Sequence, residues 1–124
     1  MMSSRADVIT VVEDDVAMAR AVDRLLRARG FNVEIFYSAE TFLASPSATV
    51  ARCLVVDIQL GGMSGIDLCR ALGARGSQPA FIFITALEDR EVKRAAKEVG
   101  CIAYLRKPFL SDVLVQAINQ AISQ

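Results

Sequence analysis

Cys53-Leu54-Val55-Val56-Asp57 is the stretch on which the fold turns. Four apolar residues run without a polar break and end on an acid. A strand with one wet face alternates, whereas a strand covered on both faces reads as a continuous apolar run. Val8 to Val12 (VITVV) has the same character, and so has Ala80 to Ile84 (AFIFI). Cys101 to Leu105 reads as another strand. Phe31, Val33 and Ile35 alternate with polar residues and read as a strand near an edge. Near-continuous apolar strands need a layer on each side, so the segments between them have to supply helices.

Those segments carry helical signals. Met18, Val22, Leu25 and Leu26 form an apolar stripe after the first strand, and Gly30 is placed as a left-handed stop. Ser38 caps a short helix through Leu43, which the Ser45-Pro46-Ser47 loop ends. Ser64 and Asp67 have capping-box spacing and open a helix to about Leu72, followed by a loop from Gly73 to Pro79. Glu88 to Val99 is a charged helix with a thin apolar stripe, closed by Gly100. Ser111 starts the last helix, with Leu110 and Val115 spaced to staple its start and Leu114, Ala117, Ile118 and Ala121 on its inner face. Strand and helix alternate five times, which implies an α/β fold with a parallel sheet and helices on both faces.

At 124 residues the chain is the size of one domain, and no repeat, linker or low-complexity segment divides it. With 53% apolar and 23% charged residues it can build a core, which excludes a disordered chain. Fourteen basic residues balance fourteen acidic ones, so charge makes no case for nucleic acid or an anionic membrane. No apolar run is long enough to span a bilayer, and Met1 to Asp7 lack the apolar stretch of a signal peptide, so the expected compartment is the cytoplasm. There is no histidine, which removes Ser-His and Cys-His nucleophile systems and imidazole metal sites. Cys53, Cys69 and Cys101 are far apart in sequence and odd in number, and read as reduced thiols serving as small hydrophobes.

Ligands of such sheets bind beyond the carboxyl ends of the strands. Glu13, Asp14 and Asp15 follow the first strand, Asp57 the third, Thr85 and Ala86 the fourth, and Arg106, Lys107 and Pro108 the fifth. Two carboxylates about 4 Å apart repel by roughly 4 kcal/mol at an effective dielectric near 20. A cluster of Glu13, Asp14 and Asp57 therefore needs cations. Lys107 supplies one, and a hard divalent ion, Mg²⁺, is the natural second in an all-oxygen site. A carboxylate beside such a metal can attack phosphorus, and Thr85 and the Ala86 backbone N–H can donate to the product's oxygens. Asp15 reads as a helix N-terminal acid favoured by the dipole.

At this point the sequence resembles the receiver domain of two-component response regulators, CheY-like in fold, over nearly the whole chain. The carriers are Val11-Val12-Glu13-Asp14-Asp15, Val55 to Leu60 with Met63-Ser64-Gly65, Ile84-Thr85-Ala86, and Tyr104-Leu105-Arg106-Lys107-Pro108-Phe109. Tyr37 to Leu43 and Arg106 to Phe109 look most like FixJ-type receivers. The resemblance implies a (βα)5, flavodoxin-like sheet of strand order 2-1-3-4-5 and a single receiver domain over residues 1–124, its core at about 8–122. It implies a phosphorylation switch rather than an enzyme. Asp57 would take a phosphoryl group from a sensor histidine kinase. Asp14, Asp57 and the Gln59 carbonyl would ligate Mg²⁺, with Glu13 acting through water. Thr85, Ala86 and Lys107 would bind the phosphoryl oxygens, and the Lys107-Pro108 bond would be cis. Tyr104 would turn inward as Thr85 moves, reshaping the face of the fourth helix, fifth strand and fifth helix for a partner, most simply a second copy of the chain.

The sequence departs from the family in one loop. Most receivers carry Met-Pro three and four residues after the acceptor, where Leu60-Gly61 stand here, and Gly61 with Gly62 is expected to loosen the loop. Gln59 and Leu87 occupy the positions that tune acyl-phosphate lifetime in the family, and apolar Leu87 predicts a long one. A phosphohydrolase of the aspartyl-phosphate type would need an acid where Gln59 stands. A flavodoxin-like electron carrier would need a phosphate-cradling loop where three acids stand. Against a receiver fold kept only for docking stands the intact set Glu13, Asp14, Asp57, Thr85 and Lys107. No output module follows the last helix. The chain reads as a stand-alone receiver or as one cut from a longer regulator, the FixJ-type likeness favouring a removed DNA-binding domain, with no DNA binding by this chain itself.

Overall fold

A computed structural model describes residues 8–123. The reading of Met1 to Asp7 as lacking a signal peptide lies outside them. The elements alternate as β1 (Val8–Val12), α1 (Val16–Ala28), β2 (Asn32–Phe36), α2 (Ala39–Leu43), β3 (Cys53–Asp57), α3 (Gly65–Ala74), β4 (Ala80–Thr85), α4 (Arg90–Glu98), β5 (Ala103–Arg106) and α5 (Ser111–Ile122). All five strands are parallel, in the order β2-β1-β3-β4-β5. This is the expected topology.

The sheet separates two cores, because successive side chains of a strand point to opposite faces. Ile9, Val11, Cys53, Val55, Ile82 and Ile84 pack with α1 and α5 through Val22, Leu26, Leu114 and Ile118. Val12, Leu54, Val56, Phe81 and Phe83 pack on the other face with Phe42, Leu68, Leu72 and Ala96. Each fully buried Leu, Ile or Phe among these contributes about 1.5–3 kcal/mol. α3 can lie close to the sheet because Gly65 is small: a Cβ there would sit 2.6 Å from the Asp57 backbone oxygen.

Several boundaries differ from the sequence reading, each for a local reason. Pro46–Thr49 forms a 3-10 turn rather than a bare loop, with proline at its start where a missing N–H costs nothing. α3 runs on to Ala74, two residues past Leu72. α4 starts at Arg90 rather than Glu88, because the Asp89 carboxylate accepts from Glu91 and Val92 N–H and caps it there. β5 starts at Ala103, since Cys101 N–H still bonds back to Ala96 O and closes α4. Cys53 is buried as expected, whereas Cys101 is half-buried. The Ser64–Asp67 capping box is one-sided: Ser64 Oγ accepts from Asp67 N–H, while the Asp67 carboxylate turns to Arg70. Leu110 and Val115 make no staple, since Leu110 is 74% exposed and serves as the N-cap residue of α5. The glycine stops hold, Gly30 at φ 92° and Gly100 at φ 84°.

Candidate functional site

Parallel register brings the strand ends to one rim. Val12 stands level with Val56, Asp57 with Ile84, and Thr85 with Arg106. Glu13, Asp14 and Asp57 each place a carboxylate oxygen there, all within 4.8 Å of one another. Glu13 and Asp57 are buried, at 0% and 5% exposure, while Asp14 is exposed. Lys107 lies between the buried pair. Its Nζ donates to Glu13 Oε1 at 2.8 Å and to Asp57 Oδ2 at 3.0 Å.

The Lys107 backbone is fixed by its N–H, which donates to Thr85 O at 2.8 Å, and the Lys107-Pro108 bond is cis as expected. The second Asp57 oxygen accepts from Gln59 N–H at 2.9 Å. Thr85 is fully buried, its Oγ1 accepting from Leu87 N–H at 3.1 Å. A hydroxyl that accepts keeps its own proton to donate. Ala86 is exposed at the same rim, and Leu87 is half-buried. Asp15 caps α1 by accepting from Met18 N–H at 3.1 Å, which is its structural role.

Electrostatics follow from burial. Desolvation pushes the Glu13 carboxyl up to about 7, against the pull of Lys107 and the Asp15 N–H. Burial also draws on Lys107, but its hydrogen bonds to Glu13 and Asp57 outweigh that and hold its ammonium above the ordinary lysine range. One ammonium thus serves two buried carboxylates with a third beside them. The donor set is all oxygen, with no imidazole in the chain. It suits a hard cation such as Mg²⁺, to which the Glu13, Asp14 and Asp57 carboxylates can offer oxygens.

Tyr104 sits apart from this cluster, on β5. Its ring is half-buried, and its hydroxyl is buried with no hydrogen-bond partner. Burial raises its pKa above the ordinary phenol range. Lys93 of α4 places its ammonium 5.9 Å from the ring centroid, a cation–π contact not foreseen from sequence. Also unforeseen is Glu40 of α2, whose Oε2 accepts from Met63 N–H at 2.8 Å in the loop after β3. Hydrogen bonding to that N–H holds its carboxyl below the usual range. A backbone donor 23 residues away leaves no trace in a motif.

The response regulator receiver domain matches residues 9–119. The response regulator protein TodT of Pseudomonas putida is 36% identical over 121 residues, covering 98% of this chain and 53% of that protein. The transcriptional regulatory protein FixJ of Bradyrhizobium diazoefficiens is 33% identical over 116 residues, covering 94% of this chain and 57% of that protein. The chain therefore spans about half the length of these curated relatives. A crystal structure of FixJ-N superposes with a TM-score of 0.88 at 30% identity, covering 100% of this chain and 97% of that one. The response regulator StyR superposes at 0.86 with 38% identity, covering 94% of this chain and 59% of that one. Among the described residues no helix is long and apolar enough to cross a membrane.

Proposed function

The chain belongs to the response regulator receiver-domain family of two-component systems, and from that premise we propose that Asp57 is its phosphoacceptor and Lys107 the group that responds to the acquired charge. The observation that carries the reading is the Lys107 ammonium, bonded at once to Glu13 and Asp57 beside the Asp14 carboxylate. A carboxylate oxygen of Asp57 attacks the phosphorus of a phosphohistidine on a sensor histidine kinase. The P–N bond breaks, the imidazole leaves with its electron pair, and an acyl phosphate remains on Asp57. Mg²⁺, when bound at Asp14, Asp57, Glu13 and the Gln59 carbonyl, supplies charge neutralisation for the incoming phosphoryl oxygens. Thr85 Oγ and the Ala86 N–H donate to those oxygens, and Lys107 pairs with their charge.

Phosphorylation replaces about one negative charge by about two and adds acceptor oxygens. Thr85 reaching for them gives up its bond from Leu87 N–H. The vacated space admits Tyr104, whose orphan hydroxyl makes its present seat a poor one. α4, β5 and α5 then present a changed face, and a second copy of the chain is its simplest partner. The balance shifts toward whichever arrangement holds the phosphoryl group better, and a few kcal/mol suffice. Leu87 stands where an apolar side chain shields the acyl phosphate from water, with Gln59 as the other lifetime-tuning position. FixJ of Bradyrhizobium diazoefficiens, of whose length the match covers 57%, is a transcriptional regulatory protein in name, which supports a transcriptional output for this receiver.

Intact mass after incubation with acetyl phosphate and Mg²⁺ tests the assignment. One added phosphoryl group is expected, absent from Asp57→Ala and absent when the metal is chelated. An adduct that persists in Asp57→Ala would overturn it.

A further inference from the structure

The loop from Gln59 to Ser64 lacks the proline that most receivers carry, and two adjacent glycines stand in it. A loop so composed has few intrinsic restraints, yet here it is tied. Its ends are pinned by the sheet and α3, through Ile58 N–H on Ile84 O and Gly65 N–H on Ile58 O, each at 3.0 Å. Between those ends the Asp57 carboxylate holds the first residue through Gln59 N–H, and Glu40 reaches in from α2 to accept from Met63 N–H near the far end. The carboxylate is seated against Gly62: a Cβ there would lie 2.6 Å from Glu40 Oε2 and 3.2 Å from Oε1. Gly62 is thus the seat that lets Glu40 reach Met63.

α2 is a firm post for this strap. Ala39 and Phe42 are fully buried on either side of Glu40, Ser38 caps the helix, and Arg75, the C-cap residue of α3, donates to Leu43 O at 3.0 Å at its other end. The tied segment borders the carboxylate cluster. Gly61 lies where a Cβ would be 3.6 Å from Asp14 Oδ2, and Gln59 N–H is already on Asp57 Oδ1.

We propose that Glu40 is a positioning residue of the Asp57 site: by accepting from Met63 N–H across the open face of Gly62, it orders the loop that carries the Gln59 carbonyl and walls Asp14, in place of the missing proline. The inference rests on the reading of Asp57, Asp14 and Gln59 as the Mg²⁺ and phosphoryl site. Glu40 touches neither metal nor phosphoryl group and acts only through the loop. What it contributes is order in the metal-binding segment before any ion arrives, a role that belongs to outer-shell groups in general.

The test compares the parent with Glu40→Ala, Glu40→Gln and Gly62→Ala. Amide hydrogen exchange of Gln59 to Met63 is measured without divalent ions, and Mg²⁺ affinity by calorimetry. Glu40 is exposed, so its variants keep the fold. Glu40→Ala is expected to speed exchange at Met63 and its neighbours and to weaken Mg²⁺ binding by about tenfold, the low end for groups that orient a metal's own ligands. Glu40→Gln keeps an acceptor without the charge and is expected to stay close to the parent in both. Gly62→Ala unseats the carboxylate and is expected to match Glu40→Ala, with no further loss in the double variant. Equal exchange and equal Mg²⁺ affinity in the parent and Glu40→Ala would overturn the role. So would Glu40→Gln falling as far as Glu40→Ala, which would assign the effect to charge. Failure of the underlying reading looks different: a parent that takes up no phosphoryl group on Asp57 speaks against the acceptor itself.

Discussion

β3 and β5 are both parallel strands of one sheet, and they are built to opposite ends. Every residue of β3 from Cys53 to Asp57 is buried, between β1 on one side and β4 on the other. β5 is an edge strand of four residues, none of them fully buried, and it carries an aromatic hydroxyl with no partner. The central strand holds its terminal acid at a fixed place. The edge strand, with one neighbour and partial cover, is where the fold can change shape at small cost. In the proposed reading chemistry sits on the more buried member of the pair and response on the less buried one, with Lys107, one residue beyond β5, bonded to Asp57 at the end of β3.

The sharpest way to break the comparison is in the core under β3. Leu54→Ala removes a fully buried side chain and is expected to cost about 2–5 kcal/mol in denaturant unfolding. On β5, Tyr104→Phe deletes the unpartnered hydroxyl and is expected to leave stability unchanged or to raise it by up to about 1 kcal/mol. A loss comparable to that of Leu54→Ala would erase the distinction between the strands.

The joint between them carries an effect as large as that of Leu54→Ala. Lys107→Met leaves buried Glu13 without its cation, and breaking such a pair costs about 3–5 kcal/mol when the remaining charge stays buried. Glu13 has a way out, which is to take up a proton. Its folded-state pKa is raised above the unfolded value, so the folded state binds more protons than the unfolded chain between about 4.5 and about 7. Its contribution to stability therefore falls as pH rises through that window. The Lys107→Met penalty is expected to be small at pH 5 and larger at pH 8, and still growing there, because losing the ammonium that lowers the Glu13 carboxyl pushes it up further; unfolding curves at both pH values read it. In the parent, Mg²⁺ affinity is expected to climb across the same window, because the ion competes with a proton at Glu13. A flat profile would remove Glu13 from the site. The smallest expected effect is kinetic: Leu87→Glu offers water a polar path and is expected to shorten the acyl-phosphate lifetime, followed by loss of the adduct mass with time. Equal lifetimes would dismiss the shielding role.

The same contrast decides what was legible in the residues. The central strands announce themselves, because burial on both faces forces continuous apolar runs, and the acids Glu13, Asp14 and Asp57 stand out where those runs stop. Lys107 and Thr85 follow from the same rule. β5 was read two residues early at Cys101, since an edge strand needs only part of its length apolar and the helix before it had not yet closed. The start of α4 was misplaced because either Glu88 or Asp89 can begin a helix on composition, and only the Asp89 carboxylate reaches two free N–H groups. Leu110 and Val115 had staple spacing, but α5 begins one residue earlier than that pairing requires, with Leu110 itself as the N-cap. The loop with Gly61 and Gly62 was expected to be loose. The proposed restraint is Glu40, whose partner is a main-chain N–H far along the chain, and no side-chain pattern encodes that bond.

The central claim is that a charge gained on Asp57 at the end of β3 is expressed on β5. Amide chemical shifts with and without Mg²⁺ and a beryllofluoride mimic of the phosphoryl group test it most directly. The account predicts large changes at Thr85 to Leu87, along α4 and from Ala103 to Lys107, with Cys53 to Val56 nearly still. Changes confined to the immediate rim of Asp57, with Tyr104 and α4 unmoved, would contradict it.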